Sequence, residues 1–184
     1  MDRGIKASLT VLALSVGGAS GVLAGAANAA HDDRGADSVR GSAVNEFPTP
    51  VGPGSASLTA EVSSGPAGER PRGFVEATGN ADGTDATGFF VRGEVTCLRV
   101  SGQRAAIKYR FRRAEGTAEP FKGGGVQIFI EDNGQPGDGQ PVDATANDPP
   151  QTAEVFDTNA ADCDDPNTRT YDQVESGDYT IHDR

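Results

Sequence analysis

Apolar residues alternate with polar ones along several stretches of this chain, and a period of two marks a strand with one face buried. Residues 56 to 63 place Leu58, Ala60 and Val62 on one side and Ser57, Thr59 and Glu61 on the other. Further on, Phe89, Val91, Gly93, Val95 and Cys97 share a face. Leu98 and Val100 fall on the opposite one, which predicts a bulge, a bend or two-sided burial near Cys97. Ser101, Gly102 and Gln103 make a hairpin-sized turn into residues 104 to 113. There Ile107, Tyr109 and Phe111 alternate with Lys108, Arg110 and Arg112. After three glycines, Val126, Ile128 and Ile130 face inward, Gln127, Phe129 and Glu131 outward, and Asp132, Asn133 and Gly134 end the strand as a turn.

Weaker signals flank this block. Residues 38 to 45 read as a weak strand, and 47 to 54 as a breaker with three prolines and two glycines. A short strand is expected around Phe74 and Val75, a loop with no periodicity over 135 to 150, a short strand over 152 to 156, and a last one over 178 to 182. No helical periodicity appears after residue 30. The expectation is an all-β fold: a single antiparallel β-sandwich or barrel of seven to eight strands. Residues 30–55 read as a flexible N-terminal segment with an edge strand, and 56–184 as the β domain.

Composition adds a compartment and a weakness. Arg3 and Lys6 precede an apolar stretch ending in Ala27, Asn28 and Ala29, the layout of a secretory signal peptide over 1–29. Nothing later is long and apolar enough to span a membrane as a helix. Secretion to the cell exterior is the expected localisation. The remaining chain holds 12 Val, 8 Phe, 4 Ile and 2 Leu, roughly 17 % of it, against the ~20 % below which high charge favours disorder. A core that small makes Cys97 and Cys163, the chain's two cysteines, the expected disulfide. The formal charge of −11 argues against nucleic acid as a partner. That charge is polarised, with eight basic and three acidic residues over 87 to 122, and fourteen acidic and two basic over 131 to 184. The acidic region is therefore expected to fold back over the basic strands.

The run from Gly93 through Thr96, Cys97 and Leu98 to Gly102, the run from Val126 to Asp132, Asn133 and Gly134, and the close from Ser176 to Asp183 together resemble a group of small exported bacterial β-rich proteins. The strand followed by Asp-Asn-Gly is similar to post-COAP type domains. The resemblance implies one exported β domain holding both cysteines and carries no activity with it.

Candidate chemistry is sparse. His31 and His182 are the chain's only histidines, so a serine triad would have to run through His182 with Asp183 or Asp178, and no nucleophile elbow accompanies it. The same scarcity disfavours zinc. With 27 acids a close carboxylate pair arises by chance, and a chain with no Trp and three Tyr lacks the platforms of a sugar cleft. Calcium is the cation suited to Asp157, Asp162, Asp164 and Asp165, or to Asp132, Asn133, Asp138 and Asp143. Neither spacing is that of an EF-hand, and the ordinary alternative is solvated turns. Lys108, Arg110 and Arg112 form a basic stripe that could take an anion, or pair with the chain's own acids. The functional expectation is a non-catalytic binding or structural module of the cell exterior. The alternative is a small-ligand carrier, a barrel lined by Phe74, Phe89, Val91, Tyr109, Phe111 and Ile128, with a hydrolase as the third reading.

Overall fold

The computed structural model describes residues 36–49, 52–80, 84–135 and 142–184. The signal peptide reading, His31 and Asp138 lie outside them. Nine strands are described: β1 (Asp37–Thr49), β2 (Gly52–Ser64), β3 (Arg72–Asn80), β4 (Gly88–Ser101), β5 (Arg104–Gly116), β6 (Gly125–Glu131), β7 (Ala144–Asn147), β8 (Asp172–Gln173) and β9 (Ser176–His182). They form one antiparallel sheet in the order β8-β7-β6-β5-β4-β3-β2-β1-β9. Strands β8 and β9 occupy opposite ends of that order, yet only Val174 and Glu175 separate them in the chain.

That short link decides between sandwich and barrel. A flat nine-stranded sheet would hold its edges about 38 Å apart at ordinary strand spacing, whereas the step from Gln173 to Ser176 reaches about 11 Å at most. The sheet must curl into a barrel-like shell. Two features of the sequence supply the curl. Register shifts interrupt the β4–β5 pairing between Arg92 and Gly93 and again between Val95 and Cys97, and such bulges bend and twist a strand. Glycines stand where a ring needs room: a Cβ at Gly93 would lie 2.7 Å from the Tyr109 ring, and one at Gly41, whose φ is +147°, 2.9 Å from the Tyr179 ring.

The seam is closed by carboxylates. Asp143, with 0 % of its surface exposed, accepts hydrogen bonds from the backbone N–H of Tyr179 at 2.6 Å and of Asn133 at 2.9 Å. Asp132 accepts from the N–H of Ile181 and of Gly134, both at 2.9 Å. Side chains before β7 thus satisfy two edge donors of β9. Backbone bonds from Val174 N–H to the Asp143 carbonyl and from Glu175 N–H to the Val44 carbonyl pin the connecting link. Burial pushes the Asp143 carboxyl above the usual carboxylate range; the two N–H donors oppose that shift, and the neighbouring charges of Asp132 and Asp178 add to it.

The bulge expected near Cys97 is present, and its effect is to change faces. With Thr96 skipped in the pairing, Leu98 follows Val95 into the interior opposite Ile107, while Cys97 pairs with Lys108 on the outside. Several expectations are corrected. Strand β1 is interior to the sheet, between β2 and β9, and is no edge. The count is nine strands because the expected loop over 135–150 contains β7 and because β8 is only two residues long. Residues 152–156 form no strand: the N–H of Phe156 bonds to the Thr152 carbonyl, starting the single-turn helix α1 (Ala153–Asp157). Phe156, 0 % exposed, is what that turn buries.

The acidic segment does fold across the basic strands. The Cys97–Cys163 disulfide, with Cα atoms 5.8 Å apart, staples it to the outer face of the sheet. Arg110 pairs with Asp157, Arg99 with Asp165 at 3.1 Å, and Arg169 with both Asp148 and Asp164. Phe129 lies under the Arg169 guanidinium, 4.4 Å from its centre, and Phe156 under that of Arg110 at 5.0 Å. The outer side of β5 and β6 is therefore a second, partly apolar layer, with Lys108 only 5 % exposed and Phe129 not at all.

Candidate functional site

The interior is filled at one end and hollow at the other. Val39, Val75, Leu98, Ala105, Ile107 and Ile130 are fully buried at the end where the β4–β5 hairpin turns. At the opposite end the inward positions of β2 to β6 fall to small residues or stand apart, and a cavity of about 700 Å³ opens. That volume lies in the ~300–1,000 Å³ range of small-molecule sites. Leu58, Ala77, Val91, Tyr109, Val126 and Ile128 make its walls, and Phe89, Phe111 and Phe121 stand with them. Each strand supplies alternate residues to this wall, which follows from the period of two that made the strands legible. Phe121 comes from a 3-10 turn (Glu119–Phe121) in the β5–β6 connection, which lies at the open end.

Small side chains create the space. Ala56, Ala77 and Ala118 line the cavity where a Leu or Phe would fill it. Tyr109, 2 % exposed, packs edge-on to Phe111 with ring centroids 5.4 Å apart. Burial raises the pKa of its hydroxyl well above the ordinary phenol value, with the nearby Tyr179 adding to the shift. The Tyr179 hydroxyl donates to the Leu58 carbonyl at 2.9 Å.

The rim is polar and of one sign. Glu46, Asp148 and Asp172 line the open end with Asn45, Asn147, Gln173 and several threonines, and none of the described lining residues is Lys, Arg or His. Thr145 donates to the Asn45 side chain at 2.7 Å and ties β7 to β1 at this rim. Asp148 is held by Arg169; burial raises its carboxyl pKa despite the opposing charges of Arg169 and Lys108. Glu46 and Asp172 have neither an ion pair nor a side-chain hydrogen bond among the described residues.

Of the residues expected to line a carrier's interior, Phe89, Val91, Tyr109, Phe111 and Ile128 meet in this cavity. Phe74 does not: it points outward, with the Arg92 guanidinium 4.0 Å over its ring. The other named residues lie elsewhere. Lys108 donates to the Asn159 carbonyl at 2.9 Å, Arg110 to Gly123 and Asp157, and Arg112 to Glu94 at 2.6 Å. Asp157, Asp164 and Asp165 each face an arginine of the same chain. The carboxyl of Asp165 is held below the usual range, chiefly by the Asn167 N–H that it caps, with Arg99 adding to the effect. Asp162 lines a smaller cavity of about 400 Å³ beside the disulfide. Among the described residues no three His, Cys, Asp or Glu side chains converge as a metal-binding group, and no described helix is long and apolar enough to cross a membrane. His182, the last residue of β9, is exposed and lines neither cavity.

The residues that sequence reasoning missed are Ala56, Ala77, Phe121 and the acids of the rim. Alanines at inward strand positions are the readable signal for a void, but periodicity treats them as ordinary core. Comparisons with protein-family models, with curated proteins and with solved structures found no match for this chain, so the geometry of the shell is what bears on its function.

Proposed function

We propose that this chain is a non-catalytic binding module that takes a small, largely apolar molecule into the open end of its shell. The observation that carries the reading is the cavity of about 700 Å³, walled by inward residues of strands β2 to β6. A concave site of that size with mainly apolar walls and a polar rim is the ordinary form of a small-molecule pocket. The disulfide belongs to an oxidising compartment, in keeping with the exported leader read from residues 1–29. A ligand carrier or sensor outside the cytoplasm is thus the reading that fold, disulfide and cavity support together.

The test uses N-phenyl-1-naphthylamine, an apolar dye that fluoresces on leaving water. The oxidised protein should enhance its emission saturably. Ala77→Trp, which places an indole in the cavity, should abolish the enhancement, and Ala56→Trp at the rim should weaken it. Circular dichroism establishes that each variant is folded. Dye binding unchanged in both folded variants, or absent from the parent protein, would end the proposal.

A further inference from the structure

We infer that the natural occupant of this cavity is an organic cation, an apolar body carrying an amine or quaternary ammonium head. The inference deepens the carrier reading and rests on it. Two independent features of the open end point the same way. The first is the rim, where Glu46, Asp148 and Asp172 supply carboxylates and the described lining supplies no basic side chain. A low-dielectric wall beside charges of one sign concentrates the potential at the opening and favours the opposite charge. Asp148 is already engaged by Arg169, which leaves Glu46 on β1 and Asp172 on β8 as the available counter-charges.

The second feature is aromatic. Phe89, Tyr109, Phe111 and Phe121 all border the cavity, and the negative faces of such rings attract ammonium groups within about 6 Å, quaternary ones included. The protein already uses this chemistry on its outer surface, where Arg92, Arg104, Arg110, Arg113 and Arg169 each stand over a ring. Inside the shell the rings have no cation of the protein's own among the described lining. A fatty acid would meet the reverse situation, its carboxylate facing Glu46 and Asp172 with no arginine or lysine among the described lining.

Isothermal titration with three probes of equal chain length tests this: decyltrimethylammonium and decanoate below their micelle-forming concentrations, and decanol below its solubility limit. The cation should bind about tenfold tighter than the alcohol, equivalent to about 1.4 kcal/mol, and the carboxylate weaker than both. Salt should erode the preference, because the rim charges are exposed. The double variant Glu46→Gln, Asp172→Asn, altered only at exposed positions, should bring the cation down to the alcohol's affinity and leave the alcohol unchanged. Equal binding of all three probes, or tighter binding of decanoate, overturns the cation inference while leaving the carrier reading intact. If none of the three binds, both fall.

Discussion

Replacing Asp143 with alanine should unfasten the seam of the shell. The carboxylate is fully buried and takes two backbone donors, Tyr179 N–H at 2.6 Å and Asn133 N–H at 2.9 Å. Hydrogen bonds to a charged group contribute about 1.5–3 kcal/mol each, and an orphaned buried donor costs about 1–3 kcal/mol. Against this, the variant no longer buries a charge, which offsets part of the loss. The balance is a destabilisation of about 3 kcal/mol, or roughly 6–12 °C in Tm for a domain of this size. Urea unfolding followed by far-UV circular dichroism measures the total, and hydrogen exchange at the Tyr179 amide should accelerate more than at Val75. Asp143→Asn, which keeps one acceptor, should lose about half as much.

The same residue sets a pH signature. Because burial raises the Asp143 pKa in the folded state, the native protein takes up a proton before the unfolded chain does as pH falls. The parent should therefore gain stability relative to Asp143→Asn as pH drops from neutral through the folded pKa toward the ordinary carboxylate value. A stability of Asp143→Ala within about 0.5 kcal/mol of the parent, the range of an ordinary surface change, would refute the assignment of the seam to this side chain.

Three further outcomes follow from the outer layer. Phe156→Ala should cost about 3–5 kcal/mol in urea unfolding, because its ring is fully buried under Arg110; a loss under about 1 kcal/mol would mean that the acidic layer is not packed as described. Removing the disulfide with Cys97→Ser and Cys163→Ser, 66 residues apart, should lower stability by about 4 kcal/mol in the loop-entropy model, read as the difference in urea midpoint. Millimolar calcium should leave the melting temperature where a chelator leaves it, since Asp157, Asp164 and Asp165 already face arginines; a rise of several degrees would contradict that, by linkage.

What the sequence disclosed, and what it hid, follows from the reach of each signal. Alternation in β2, β4, β5 and β6 was readable because each of these strands has a continuous apolar face, and the clash of Cys97 with Leu98 exposed the bulge. Strands β7 and β8, of four and two residues, are too short to show a period. Residues 152–156 are too few to separate a strand from a helical turn by periodicity; Phe156 is buried, Val155 is exposed, and one helical turn achieves that. Lys108, Arg110 and Phe129 read as a wet face, since alternation cannot announce that a segment some fifty residues away will cover it. Polarised charge did announce that the acidic region returns to these strands. Phe74 is expected inward in a strand of which only Phe74 and Val75 are apolar enough to mark a face; adjacent strand residues point oppositely, and Val75 is the one in the core. The hollow end was half legible: its aromatic and branched walls could be named, but whether they meet or stand apart depends on how tightly the sheet curls. The register shift at Arg92 and Gly93 and the two-residue link from β8 to β9 help to set that curvature, and unlike the bulge at Cys97 neither has a strong sequence signature.

The most direct measurement is isotope-filtered nuclear Overhauser spectroscopy of the oxidised protein with decyltrimethylammonium. The alkyl protons should show contacts to Val91, Tyr109 and Ile128, and the N-methyl protons to Phe89 or Phe121 near the rim acids. Contacts confined to outward residues such as Phe74, Phe90 or Val155, or no contacts at all, would contradict a ligand-binding shell.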